Sequence, residues 1–368
     1  MRGLSFGNSY STQPGLVGKN LAEYRDVRVV TGRGIEGIVG ITELPDAGWV
    51  DRWERIIVPA EQKERLLNHL LFSLRHRGRV SAVGLPVHGL VILAGPPGTG
   101  KTTLAHGLAD QAARVLEDPS LLFVDIDPHA FPSQMLGESQ RNIHRLMNET
   151  IPEIAARRPF TVVLIDEVES FAVRRDTASF ETNPVDVHRA TDAVLLGIDA
   201  VAKNLPRVLF VATTNFIDAV DEAFMSRADL VMHFSLPDVP TIAKILHHSM
   251  EELAVQWPAL RPMLDEKDEF EHIAEHCEGW NGRQVRKLML AALAQRLEVA
   301  KDPSKLTFDD LHEAAMKKGG VEWAGGAAPT AKELFPDVPK ELMHDHDPEH
   351  GTHGHGSGHA HPHPHGAK

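Results

Sequence analysis

Short apolar runs alternate, through the middle of the chain, with longer stretches whose apolar residues recur every three or four positions. The runs lie at 90–94, 121–125, 161–165, 207–212 and 230–234. They lack the in-out alternation of a half-solvated strand, so each reads as a strand covered on both faces. Residues 103–113 space Leu104, Leu108 and Ala112 at helical intervals, and further helices are predicted from about 138 and over about 185–202. Strands and helices in alternation predict an α/β fold, a parallel sheet with helices on both faces. Pro152 falls inside an otherwise helical stretch and predicts a kink or a restart. From Val239 the pattern is helical only, with segments at 241–253, 269–277, 282–300 and 307–317, which predicts a smaller all-helical lid.

The flanks are different material. Residues 1 to about 50 open polar and rich in Gly and Ser, then offer 26–30 and 35–41 as short strands divided by Gly32 and Gly34. Residues 1–48 are therefore expected to form a small, partly flexible appendage. Trp49, Trp53, Ile56 and Ile57, then Leu66, Leu67, Leu70, Leu71 and Leu74, predict an amphipathic helical region packed on the α/β domain. That domain is expected over 49–237 and the lid over 238–320. After Val321 the chain turns to Gly, Ala and Pro, and from His344 histidines are scattered among Gly, Pro, Asp and Ala. Residues 321–368 cannot bury a core and are expected to form a disordered His-rich tail. Its spacing permits weak Ni²⁺, Zn²⁺ or Cu²⁺ binding, with adventitious affinity or solubility the plainer reading than a dedicated metal-carrier role.

Chemistry enters at the end of the first apolar run. Gly95, Pro96, Pro97, Gly98, Thr99, Gly100, Lys101 and Thr102, followed by Thr103, fill the phosphate-loop pattern G-x-x-x-x-G-K-[ST] between a strand and a helix N-terminus. Glycines let backbone N–H groups curl around phosphate oxygens, Lys101 can reach the outer phosphates, and the Thr102 hydroxyl can hold Mg²⁺. The run 162–165 ends in Asp166 and Glu167. Asp166 can orient Mg²⁺ through its water shell, and Glu167 can polarise a water for in-line attack on the terminal phosphate. A third run ends at Asn215, which its order in the chain sets beside the Asp-Glu strand and aims at the attacking water or the γ-phosphate; a strand-end Asn also caps turns. Arg227 follows a short helical segment, where it either reaches a neighbouring subunit's phosphate or forms a surface ion pair with Asp229. Arg283 and Arg286 fall in the first turn of a lid helix, against the helix dipole, from where one could reach the nucleotide.

This order of phosphate loop, Asp-Glu strand end, Thr-Thr-Asn strand end, arginine and Asn-Gly-Arg lid helix resembles the AAA+ ATPases. The segment 164–170, Asp199, the Ser-Arg-Ala-Asp of 226–229 and the lid motif look more narrowly like the pachytene-checkpoint AAA+ group that remodels HORMA-domain proteins, bacterial relatives included. The likeness spans roughly residues 44 to 318. It implies a homohexameric ring that uses ATP and Mg²⁺ to pull a polypeptide through a central pore, with Arg227 supplied in trans and Arg283 as lid sensor. It also implies a substrate-gripping pore loop at 133–139, where Met135 and Leu136 stand in place of the family's aromatic. The short N-terminal region departs from the family in the part that recognises substrate.

Composition narrows the alternatives. Length and a 42% hydrophobic content suit two or three domains. A net charge of −13 argues against a protein that coats nucleic acid. Cys277 stands alone, so no intrachain disulfide forms, and a buried inert thiol is expected. No run approaches the roughly 20 apolar residues of a membrane helix and no signal-peptide segment opens the chain, so a cytoplasmic protein is expected. Two other classes stay open: an enzyme-activating or metallocofactor-insertion AAA+ chaperone, which would give the His-rich tail a purpose, and a nucleic-acid motor or clamp loader.

Overall fold

The computed structural model describes residues 37–116, 121–127, 138–170 and 184–317. They belong to the first of two units of the chain, Met1–Gly320; the second, Val321–Lys368, lies outside the described residues together with the His-rich tail. So does the predicted strand at 26–30.

Six strands form one sheet: β1 (Ile38–Leu44), β2 (Leu90–Ala94), β3 (Leu121–Ile126), β4 (Phe160–Ile165), β5 (Val208–Thr214) and β6 (Leu230–His233). Their order is β1-β3-β4-β5-β2-β6, with β1 antiparallel and the rest parallel. The side chains of each central strand alternate between two buried layers, which is why the sequence shows runs rather than alternation. Ile92, Val163, Ile165, Phe210 and Ala212 face one layer, and Leu93, Val162, Leu164, Leu209 and Val211 face the other.

Helices α1 (Val50–Glu54), α2 (Ala60–Ala82) and α3 (Lys101–Val115) cover the second layer through Trp53, Leu66, Leu70, Leu74, Leu104 and Leu108. The first is covered by α4 (Glu138–Arg145), α5 (Ile151–Ala155), α6 (Pro184–Asn204) and α7 (Glu222–Met225), through Ile143, Ile154, Val194, Ile198 and Phe224. A separate apolar cluster around Ile242, Leu246, Phe270, Ile273, Leu288 and Leu311 holds α8 (Val239–Gln256), α9 (Lys267–His276), α10 (Gly282–Gln295), α11 (Leu297–Lys301) and α12 (Phe308–Met316). Cys277 is buried here, and burial pushes its thiol up to about 11. Among the described residues no helix is long and apolar enough to cross a membrane.

Two elements differ from the sequence reading, and a third follows it. Residues 38–44, expected within the appendage, form the antiparallel sheet edge. The strand expected at 35–41 thus belongs to the main sheet, and a bulge between Ile38 and Gly40 lets Ile38 and Ile41 share one buried layer despite their odd spacing. At Pro152 the expected restart is found: Leu146–Thr150 widen into a π turn, and α5 begins again with the proline in its first turn, where its missing N–H costs least. The predicted helix at 282–300 breaks at Arg296, whose backbone is extended because its guanidinium turns to the Asp310 carboxylate, itself buried and bonded to the Thr307 N–H.

Arg77 ties the start of the sheet together. Though buried, it donates to the carbonyls of His88 (3.0 Å), Leu205 (2.7 Å) and Val208 (2.6 Å). Burial holds its guanidinium down to about 10, against the pull of Asp229. Asp229 in turn accepts from the N–H groups of His88 and Gly89, which fixes the entry into β2. A Cβ on Gly89, whose φ is +72°, would sit 1.1 Å from Arg77 Nη1. Gly89→Ala is therefore expected to destabilise the fold by about 3 kcal/mol, through backbone strain and lost charged hydrogen bonds. Gly84→Ala, at φ +85° in open space, should cost only about 1 kcal/mol. Urea denaturation of the two variants measures the difference; equal midpoints would refute this role for Arg77.

Candidate functional site

The phosphate loop leaves the end of β2 and enters α3 at Lys101. β2 lies between β5 and β6, and β5 lies beside β4. Since β2, β4 and β5 are parallel, the loop, the Asp166–Glu167 pair and Asn215 emerge at one edge of the sheet. The order-based expectation that Asn215 stands beside the Asp-Glu strand holds.

Lys101 is largely buried, and its Nζ donates to Gly95 O (2.7 Å), Pro96 O (2.9 Å) and Asn215 Oδ1 (2.9 Å). Burial holds its ammonium below the ordinary lysine range, while Glu169, Asp166 and Glu167 pull it up. The amide of Asn215 donates onward to Glu167 Oε1 (3.2 Å), so one side chain bridges the lysine and the glutamate. Thr102 Oγ1 donates to Asp166 Oδ1 at 2.8 Å. Thr213 Oγ1 donates to the same oxygen and accepts from the Glu167 N–H at 3.0 Å. Glu167 has φ +53°, a left-handed conformation that strains a residue with a Cβ and is held by this bond.

A hydroxyl and a carboxylate touching beside a phosphate loop are the hard oxygen donors that Mg²⁺ takes alongside phosphate oxygens and water, so Thr102 and Asp166 fit that ion. Sequence reasoning missed Thr213 and Glu169. Glu169 Oε1 accepts from the Asn215 N–H at 3.0 Å and sets the angle at which that residue leaves β5. Its only signal in the sequence is its place two residues after Glu167.

Above the loop, α10 is capped by Asn281, whose side chain accepts from Gln284 N while Gln284 answers to Asn281 N. The cap rests on the loop: Arg283 N donates to Gly98 O at 3.1 Å. Gly98 has φ +78°, and a Cβ there would come 2.5 Å from Asn281 Oδ1. A cavity of about 560 Å³ opens between them, with Ile56, Ile57, Val58 and Ile245 among its apolar lining and Thr99, Gly100, Thr103 and Arg283 among its polar lining. Of the two lid arginines, Arg286 pairs with Glu252, which also holds Arg55; Arg283 carries no ion pair among the described residues.

Arg227 is not brought to this edge. It makes a bidentate pair with Asp199, both bonds 2.8 Å, and donates to Ala223 O. The alternative pair with Asp229 does not form, since Asp229 serves the backbone of β2. Asp229 N also bonds Leu90 O at the start of β2, so Arg227 stands about a strand's length, roughly 15 Å, from its own phosphate loop. Met135 and Leu136 lie outside the described residues.

Residues 91–236 match the family model "ATPase family associated with various cellular activities (AAA)". The chain is 40% identical over 291 residues to CD-NTase-associated protein 6 of Pseudomonas aeruginosa, which covers 79% of this chain and 95% of that protein. It is 31% identical over 227 residues to putative pachytene checkpoint protein 2 of Caenorhabditis elegans, covering 60% of this chain and about half (53%) of that protein's length. Its fold is similar to a chain of the E. coli MS115-1 HORMA:CdnC:Trip13 complex, with a TM-score of 0.60 and 21% identity over 76% of this chain and 95% of that one.

Gly98→Ala is expected to displace Asn281, with loss of a cap worth about 1 kcal/mol, and to weaken binding of a fluorescent ATP analogue about tenfold. Unchanged affinity in an equilibrium titration would show that the cap and the loop are not coupled.

Proposed function

Because this chain belongs to the AAA ATPases, in the group of CD-NTase-associated protein 6 and pachytene checkpoint protein 2, we propose that it hydrolyses ATP to remodel a HORMA-domain protein. The observation that carries the ATPase reading is the hydrogen-bonded path from Lys101 through Asn215 to Glu167, beside the Thr102–Asp166 contact. The HORMA reading is supported by likeness to a chain of a complex that contains a HORMA protein, and by the coverage of the bacterial relative.

In the proposed reaction the loop N–H groups and Lys101 bind the outer phosphates of ATP, and the adenosine enters the apolar cavity beside Ile56 to Val58. Thr102 and Asp166 would hold Mg²⁺, which supplies neutralisation of phosphate charge. Asn215 orients Glu167, and Glu167 accepts the proton as water attacks the terminal phosphorus, giving ADP and phosphate. Arg283 approaches the nucleotide from the lid, and Arg227, too far from its own loop, stabilises the transferring phosphoryl group of the adjacent protomer in a homohexameric ring. Met135 and Leu136, outside the described residues, are the proposed grip on the substrate chain. The proposed setting is the cytoplasm, without nucleic acid.

The Glu167→Gln variant tests this reading. It is expected to hydrolyse ATP about 10² to 10⁴ times more slowly while keeping it bound. Pull-down from the native host with ATP should then recover a HORMA-fold protein with this variant and not with wild type. Recovery of a metalloenzyme, or of DNA with replication proteins, would overturn the HORMA assignment and leave the ATPase; undiminished hydrolysis would overturn the base.

A further inference from the structure

The lid carries a cluster of imidazoles that the nucleotide site does not use. Glu269, His272 and His276 stand at positions i, i+3 and i+7 of α9, on one face of that helix. His312 of α12 meets the same face. Its ring centroid lies 5.1 Å from that of His272 and 6.1 Å from that of His276, and those two lie 5.4 Å apart. One ligand atom each from Glu269, His272 and His312 falls within 4.8 Å of the others. His272 and His276 are exposed and His312 is half-buried, so core packing does not account for three histidines meeting here.

Local bonds already orient the group. His312 Nε2 stands 3.0 Å from Glu269 Oε2, which sets the carboxylate against the imidazole. His276 Nδ1 stands 2.9 Å from the His272 carbonyl oxygen. A carbonyl only accepts, so Nδ1 carries the proton, and Nε2 keeps the lone pair that a metal needs.

We propose that Glu269, His272, His276 and His312 form a site for a divalent transition-metal ion of the zinc class, bridging α9 and α12. Imidazoles with one carboxylate select Zn²⁺, Cu²⁺ or Ni²⁺ over Mg²⁺ and Ca²⁺. Ligand atoms about 2.0 to 2.1 Å from a tetrahedral ion stand about 3.3 Å apart. For Glu269, His272 and His312, whose ligand atoms lie within 4.8 Å of one another, the site needs these atoms to approach by about 1.5 Å, and His276 joins them by turning its ring from the neighbouring turn of α9. An ion held there joins two lid helices that are far apart in sequence and opposes their local opening.

The test uses the whole chain and reads only lid peptides, so that any metal taken up by the histidines of 344–368 does not enter the result. After removal of metal with EDTA, ZnCl₂ is added and hydrogen exchange is followed in peptides covering 267–276 and 308–316. With free Zn²⁺ at ten times the dissociation constant, exchange in both helices is expected to slow about tenfold. His272→Ala and His312→Ala should abolish the slowing with ATPase rate and circular dichroism unchanged, while the neighbouring Glu271→Ala retains it. No slowing in wild type, or equal slowing in the histidine variants, would overturn the site.

Discussion

The parallel register sets Ala94 of β2 against Thr214 of β5, and Ala212 of β5 against Ile165 of β4. Asp166, Glu167, Asn215 and the start of the phosphate loop at Gly95 leave the sheet within two residues of those pairs. A slip of one residue would turn Thr213 and Asn215 together to the other face of the sheet, since the strand period is two. The register itself rests on the alternation of Val162 to Ile165 and Val208 to Ala212 between two apolar layers, and on Arg77 and Asp229 at the far end of β2. Reactivity at one edge of the sheet thus depends on a buried cation and a carboxylate at the other.

The lid meets the reacting edge through backbone as well as side chains. Arg283 N bonds the Gly98 carbonyl, and Asn281 occupies the space a Cβ on Gly98 would fill. In the proposed reaction, a change in the loop on binding or losing phosphate reaches the N-terminus of α10 through these contacts. From there it passes to α8 through the pair of Arg286 with Glu252. This gives the lid helices a physical reason to follow the state of the nucleotide.

Much of this was legible in the sequence because its signals are local. The phosphate loop is written in eight consecutive residues, and the buried strands in uninterrupted apolar runs. Asn215 could be placed beside Asp166 from chain order alone, because βαβ connections leave few sheet orders open. What escaped depends on residues distant in the chain. Arg227 finds Asp199 rather than Asp229, two positions away, because the backbone N–H groups of His88 and Gly89 already occupy Asp229. Asp310 breaks the long lid helix at Arg296, overriding the helical propensity of the stretch around it. β1 was offered as a strand at 35–41, but its pairing with β3, far along the chain, was not legible. Thr213 and Glu169 act by hydrogen bonds across strands, and no spacing rule announces such partners.

Asn215 joins Lys101 to Glu167, and the chemistry assigned to this edge of the sheet requires that link. Steady-state ATP hydrolysis by Asn215→Ala, with kcat and KM measured separately, tests it most directly. A fall in kcat of about 10²-fold with KM for ATP changed only a few-fold is expected, because an orienting group for the general base acts in the transition state more than in binding. An unchanged kcat, or a rise in KM alone, would contradict the link and return Asn215 to the part of a strand-end cap.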